Sequence, residues 1–382
     1  MRAVVVGAGA WGLPAAAELA RRGHDVTAVD AYDIGHRLGS SSGASRLWRL
    51  SHQDPLMVRM AVRSVQAWQR LESRTGTAVL LRRGLLWRQQ PGQVAASLAA
   101  AAVNFTEVAA GEVGRWFPGL RPNGVDAVWQ ADAGPVLASV ALQAQAALLA
   151  AHGGHLVTGT RVVGVEADQG GVRVHLAGPA PTLHAQVAVL APGPWAPALL
   201  AQLGIGLALD PVLEQVVYVA GRPGWQDLPC LYDGELDGQA GLYSMPTPGL
   251  GYKIGLDVPL RRFTVDDTDR TPDPEIDRRV AARVQRDFAA LAPQPLSSQV
   301  CSWTMSPDGR FVIDRICDGR IVLACGDSGT GFKFSALMGE LLADLAEGQA
   351  PDPDVATFSL ARFGSLAAAP ATPQGPPRGL IG

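Results

Sequence analysis

The 382-residue chain reads as an α/β protein on three observations. An apolar run, Arg2 to Val6, meets Gly7, Ala8, Gly9, Ala10, Trp11, Gly12 and passes into an alanine- and leucine-rich stretch. A second apolar run, Val26 to Val29, is closed by Asp30. Between Leu156 and Leu190 alternating runs recur with turn residues between them, the pattern of strands. Together these predict a βαβ unit with a β-meander inserted after it. The strand-like runs beyond Leu207 predict a second, α+β part with a mixed or antiparallel sheet.

The first turn has a physical reason at each position. Gly7 permits the tight bend, Gly9 leaves no Cβ between the backbone and a pyrophosphate, and Gly12 lets the helix lie close on the strand. The helix N-terminus, entered through Ala10 and Trp11, then offers unpaired N–H groups and the positive end of its dipole to phosphates. Asp30 is placed to accept hydrogen bonds from both ribose hydroxyls, with Ala31 beside it. A dinucleotide is therefore the expected ligand of this end.

Composition sets outer limits. With 47% hydrophobic residues the chain can bury a large core spread over about two domains. Lys and Arg number 32 against 35 Asp and Glu, a net charge of −3, and no basic block occurs. Nucleic acid and anionic membrane surfaces are therefore not expected partners. The first apolar run is too short and too glycine-broken for a signal peptide or a membrane span, which leads to a cytoplasmic expectation. Cys230, Cys301, Cys317 and Cys325 show no C-x-x-C spacing and no neighbouring histidines. They read as buried thiols, with no disulfide framework and no metal site.

After Asp30 no second βα unit follows. Gly35 to Arg49 is instead a donor-rich loop, in which Ser40, Ser42 and Ser45 let the backbone approach a flat ring. Arg46 and Arg49 share one side if the segment turns helical; a solvated loop with two surface arginines is the alternative. Pro55 to about Ser73 carries apolar residues at helical spacing. Val79 to Trp87 has strand character, Gly92 to about Ala110 reads as helix, Trp116 to Asp132 as connection and strand, and Ala138 to Ala151 as a buried helix.

Leu156 to Val165, Val172 to Leu176 and Gln186 to Leu190 read as three successive strands, the last ending at Ala191, Pro192, Gly193 with Trp195 close behind. A meander followed by such a return strand is the layout of flavin-binding rather than nicotinamide-binding domains, where Val162 would be a backbone contact to adenine, an ordinary strand valine being the alternative. From Leu207 to Val300, strand-like runs (Gln215 to Ala220, Gly241 to Met245, Tyr252 to Leu256) and a charged helix, Pro274 to Leu291, form a sheet that roofs the cofactor. Lys253 lies in one of these runs. On pattern alone a lysine there is more often an edge-strand residue turned to solvent than a catalytic group.

The last third returns to the cofactor. Cys301 to Asp308 precedes a strand, Phe311 to Ile313, and a second, Ile321 to Ala324. A glycine-rich turn with Asp327, Gly329, Thr330, Gly331, Phe332 and Lys333 then leads into a helix near Ser335, a second place where backbone N–H groups can meet a ring edge. The tail from about Leu366 is expected to be disordered. The resulting division is a discontinuous cofactor domain (1–80, 140–206, 305–365), a substrate domain (81–139, 207–304) and a tail (366–382).

With these residues in view the chain resembles the monomeric sarcosine oxidase and N-methyltryptophan oxidase family, flavoenzymes of the D-amino-acid-oxidase group, over about residues 2 to 362. Five stretches carry the likeness in order: Gly7 to Gly12 with Asp30; Gly39 and Ser40 to Arg49; Lys253 to Gly255; Cys301 to Asp308; and Gly329 to Phe334. The resemblance implies a glutathione-reductase-like FAD-binding domain, a monomer, and FAD joined through the Cys301 sulfur. It implies that Arg49 and Lys333 clamp the substrate carboxylate, that Ser45 and Arg46 pack on the flavin, and that Lys253 sits over the ring where oxygen reacts. Asp257 stands where the sarcosine oxidases carry histidine, Trp303 where they carry tyrosine, and Ser42 where they carry histidine; Tyr243 aligns with a pocket tyrosine if one residue is deleted before Lys253. The implied reaction oxidises a secondary or cyclic amino acid. A hydride equivalent passes from the C–N carbon to flavin N5, the imine hydrolyses, and O2 is reduced to hydrogen peroxide. A flavin dehydrogenase with another electron acceptor, a flavin-bearing subunit without turnover and an NAD-dependent dehydrogenase are the rivals.

Overall fold

The computed structural model describes residues 1–179 and 181–364; the tail from Leu366 lies outside the described residues. Valine-rich β1 (Arg2–Val6) turns at Gly7 into α1 (Gly12–Arg21), and β2 (Asp25–Val29) returns parallel to β1. Two positions of this turn require glycine. Gly7 has φ +95° and a Cβ there would lie 2.3 Å from the Ala191 carbonyl oxygen; a Cβ on Gly12 would lie 1.9 Å from that of Gly7.

The loop that follows contains β3 (Ser45–Trp48), an extended segment paired antiparallel with Gly134–Leu137. The helical alternative for Arg46 and Arg49 is thereby corrected: β-branched or aromatic neighbours and a partner strand favour pleating. α2 (Pro55–Thr75) starts where the Asp54 carboxylate accepts the Leu56 N–H and stops at Gly76, which adopts the left-handed conformation. Then come β4 (Leu85–Trp87), α3 (Pro91–Ala100), β5 (Thr106–Val108), α4 (Val113–Trp116), β6 (Ala127–Gln130), β7 (Gly134–Leu137) and α5 (Ala138–Ala151). The helix expected over Gly92 to Ala110 ends at Ala100, because Thr106 and Val108 form an edge strand on β6.

β8 (His155–Val157) extends the first sheet beside β2, whereas β9 (Val162–Asp168), β10 (Gly171–Leu176) and β11 (Leu183–Ala185) form the meander. The single strand expected from Leu156 to Val165 is therefore two, separated at Gly159 with φ +66°. β12 (Val187–Leu190) returns beside β1. After α6 (Ala196–Gln202) the chain builds β13 (Asp210–Gly221), β14 (Cys230–Asp233), β15 (Leu242–Thr247), β16 (Gly251–Leu256) and β17 (Arg261–Arg262). α7 (Pro274–Asp287) is shorter than expected, and Leu291 already begins the long β18 (Leu291–Met305). β19 (Val312–Ile316), β20 (Ile321–Cys325) and α8 (Ser335–Ala346) complete the fold.

Two sheets result. The first runs β19-β20-β12-β1-β2-β8, parallel except for β19. α1, α5 and α8 cover one face through Leu13, Leu19, Leu142 and Leu341, and the meander with α6 covers the other through Val172, Val174 and Leu200. The second sheet has nine strands, with β13 paired to β18 on one side and to β16 and β17 on the other, then β15, β14, β4, β6 and β5. α7 buries Ile276, Val280 and Val284 against its outer face, each side chain contributing roughly 1.5–3 kcal/mol. The opposite face sends Val212, Tyr232, Met245 and Trp303 into the core shared with the first sheet. No helix among the described residues is long and apolar enough to cross a membrane.

Candidate active site

A cavity of about 450 Å³ lies between the two sheets. Its first end is the β1–α1 turn. Gly7, Gly9, Ala10, Trp11, Asp30, Ala31, Val162, Gly193 and Trp195 all line it; Gly12 lies beneath the turn, packed on Gly7. The Asp30 carboxylate is fixed by the N–H groups of Ala8 (2.7 Å) and Tyr32 (2.9 Å). No side chain caps α1, so its N-terminus remains open to an anion. Ser41 was not singled out by sequence reading. Its Oγ accepts the Ala10 N–H at 2.9 Å, and a Cβ on Gly9 would point at it from 3.0 Å.

The middle of the cavity is walled by the serine-rich loop and the turn after β20. Ser40, Arg46, Cys301, Trp303, Asp327, Gly329, Thr330, Gly331 and Phe332 line it. Arg46 is folded onto its own loop and donates to the carbonyls of Ser40 (2.8 Å), Ser42 (2.6 Å) and Ser45 (2.9 Å). Ser42 and Ser45 are not on the wall: Ser42 Oγ donates to the Gly39 carbonyl, and Ser45 Oγ bonds Thr247 Oγ1 at 2.7 Å. Burial raises the Asp327 carboxyl to about 6.

Lys253 corrects the edge-strand expectation. β16 is an interior strand between β13 and β15, and Lys253 is 1% exposed, its ammonium donating to the Ser45 carbonyl at 2.9 Å. It stands behind the cavity wall. Burial, then the Arg46 charge, brings its pKa down to about 7. Asp257 is also off the wall, just past β16, where its charge acts on Glu214 and Tyr232.

The far end holds two basic side chains. Arg49, just after β3, is 3% exposed and lies over the Trp87 ring at 4.5 Å and the Tyr232 ring at 5.6 Å. Those rings stack at 3.9 Å because Trp87 and Tyr232 are register partners in the parallel β4–β14 pair. Burial lowers the Arg49 guanidinium to about 10, which leaves it cationic at neutral pH. Lys333 donates to the Thr330 carbonyl at 2.8 Å; burial and then Arg49 hold its pKa well below the ordinary value. His52 is kept neutral beside them by burial and by both cations. Neither Arg49 nor Lys333 forms an ion pair with a carboxylate among the described residues. The surface-arginine alternative fails for Arg49.

Besides Ser41, four residues at or around this chamber escaped sequence reading: Glu214 and Tyr232 on its wall, and His52 and Trp87 behind it. Glu214 sits one residue before the run Gln215 to Ala220 and alternates with Val212 and Val216, the signal that would have found it. Tyr243 lines the cavity and is hydrogen-bonded to Glu214. Cys301 faces Glu214 across β18 and β13. All four cysteines are free thiols, but Cys317 is exposed, because it stands in the left-handed turn between β19 and β20. No cluster of metal-binding side chains occurs among the described residues.

Comparison with known proteins agrees with this geometry. A family profile described as DAO, FAD dependent oxidoreductase, matches residues 2–345. The chain is 31% identical to the monomeric sarcosine oxidase of Streptomyces avermitilis, across 96% of this chain and 98% of that one. It is 26% identical to the N-methyl-L-tryptophan oxidase of Citrobacter koseri, across 94% and 98%. Its fold superposes on NikD, an unusual amino acid oxidase, with a TM-score of 0.82 at 24% identity, covering 94% and 96%. An uncapped helix behind a glycine turn, a meander, a return strand and a cavity between two sheets therefore have a common explanation: the chain belongs to the FAD dependent oxidoreductase family.

Proposed function

We propose that the protein is an oxidase of secondary or cyclic amino acids, acting as a cytoplasmic monomer, with the domain division given by the sequence. The observation that carries the substrate class is the pair of buried cations, Arg49 and Lys333, without a carboxylate partner among the described residues. A buried charge is costly unless paired, so the end of the cavity is complementary to an anion. Arg49 presents a planar fork held by the Trp87–Tyr232 stack, and Lys333 adds a point charge, a combination suited to a carboxylate.

The cavity fits FAD by its own chemistry. Besides the uncapped helix, Trp303 Nε1 and Thr304 Oγ1 are buried on its wall without hydrogen-bond partners among the described residues. Gly7 to Trp11 and Asp30 would hold the pyrophosphate and ribose, Val162 the adenine, and Arg46 and the turn Gly329 to Phe332 the ring. The Cys301 thiol would supply a thioether. Bound there, FAD would supply a two-electron acceptor for the hydride equivalent lost from the carbon beside the amine and a donor of those electrons to O2, leaving an imine for hydrolysis. The chain's own residues bind, orient and exclude water. Arg49 and Lys333 fix the carboxylate, and their charge favours the unprotonated amine that hydride loss requires.

Arg49→Ala and Lys333→Ala test the reading. Each should weaken carboxylate inhibitors by roughly a hundredfold, since removing one partner of a buried charge pair costs several kcal/mol. Equal inhibitor binding in wild type and both variants, measured by perturbation of the flavin spectrum, would remove the clamp.

A further inference from the structure

The chamber also carries a carboxyl that the clamp and the flavin leave unused. Glu214 projects from the middle of β13 and lines the cavity, 2% exposed, between the alternate positions Val212 and Val216. Its Oε1 has no hydrogen-bond partner among the described residues. The carboxyl bonds the Tyr243 hydroxyl, and the Tyr243 ring lies directly over Gly255, where a Cβ would come within 2.5 Å of Tyr243 Cζ. No cation forms an ion pair with Glu214 among the described residues, although the charges of Lys253 and Arg46 reach it. Tyr232 connects it to the clamp. Arg49 favours ionisation of the Tyr232 hydroxyl and Glu214 opposes it, so both charges act on one space.

We infer that Glu214 binds the substrate's amine through Oε1 while Arg49 and Lys333 hold its carboxylate, an assignment that rests on the amino-acid reading above. An amino acid is a short dipole, and the chamber offers cations at one end and a carboxyl at the other. A ligand without an N–H leaves a buried acceptor unpaired, which is the strongest form of discrimination open to a polar pocket. Burial raises the Glu214 carboxyl to about 8, so it is mostly uncharged at pH 7 until an ammonium is set against it. The groups facing it are Lys253 on β16, Arg46 on β3, Tyr243 on β15, Cys301 on β18 and Asp257 past the end of β16. A protonated Glu214 and an ammonium cannot share this space, so binding a zwitterion releases one proton, the reactive form being the unprotonated amine donating its N–H to Oε1, and binding a simple carboxylate releases none.

Two ligands of one shape separate the ends of the chamber. 2-Aminoisobutyrate and pivalate differ by an ammonium in place of a methyl group, and neither has an oxidisable hydrogen beside a nitrogen. Calorimetric titration of the flavin-loaded enzyme should show a preference for 2-aminoisobutyrate over pivalate that falls on the order of tenfold to a hundredfold in Glu214→Gln, with pivalate affinity retained. On the wild-type enzyme at pH 7, titration in buffers of different protonation enthalpy should release about one proton more with 2-aminoisobutyrate than with pivalate. This second measurement stands even if the variant does not fold. An unchanged preference in the variant, or equal proton counts for the two ligands, overturns the assignment of Glu214. Failure of both ligands to bind the wild-type enzyme overturns the carboxylate clamp as well, and so marks a different fault.

Discussion

Lys253 shows how one buried side chain can set chemistry at the scale of a residue. Its ammonium is held by the Ser45 carbonyl behind the wall that Arg46 helps to form. The slow part of a reduced flavin's reaction with oxygen is placing one electron on a neutral molecule, and a fixed nearby cation stabilises the anion that forms. Lys253→Met keeps the stem's packing and deletes the charge, so reoxidation in stopped flow should slow by on the order of a hundredfold. The pKa of about 7 adds a direction. Lys253 carries its charge below that value and loses it above, so wild-type reoxidation should slow between pH 6 and 8 while the Met variant stays flat. Equal rates in the two proteins would make Lys253 structural and favour another electron acceptor. Arg49, Lys333 and Cys301 could be singled out because each sits in a distinctive local string, and all three line the cavity. Glu214 and His52 were not, since a glutamate in a valine run and a histidine near a loop acquire meaning only from what packs around them.

At the scale of elements, the βαβ turn was the most legible part of the chain, because close backbone approach leaves glycine little competition. Gly9→Val should purify with little or no flavin, since the added branch occupies the space beside Ser41 Oγ at the mouth of α1. A normal flavin content by absorbance would place the pyrophosphate elsewhere. α2, α5 and the meander strands β9 and β10 were readable from period and turn residues, but β11, which precedes the expected third strand and leaves that strand to the first sheet as β12, was not, nor were β14 and most of β18. β18 passes through Pro293 and Pro295 and carries exposed polar residues, so its strand character is imposed by eleven register pairs with β13 rather than by propensity. The loop at Ser45 to Trp48 likewise becomes a strand only because β7 is there to pair with it.

For the whole molecule, FAD in the proposed position would be a third partner between the two large sheets that flank the cavity. The pyrophosphate turn belongs to the first sheet and Cys301 to the second, so a thioether at Cys301 would tether the flavin to the sheet that does not hold its phosphates. Denatured wild type should carry FAD as added protein mass, Cys301→Ser should release it, and Cys317→Ser and Cys325→Ser should retain it. A wild-type mass equal to the bare chain would leave Cys301 a buried thiol. The order of the strands also bears on synthesis. β12 finds its outer neighbour, β20, only with Ile321, and the turn that walls the cavity follows later still. A chain emerging from the ribosome therefore completes its glycine turn long before β20 and holds β12, a bare Val-Ala-Val-Leu strand, as an open sheet edge until β20 has been made. Prematurely terminated products would expose that edge to one another, so aggregation of truncated chains is built into the same topology that encloses the cofactor.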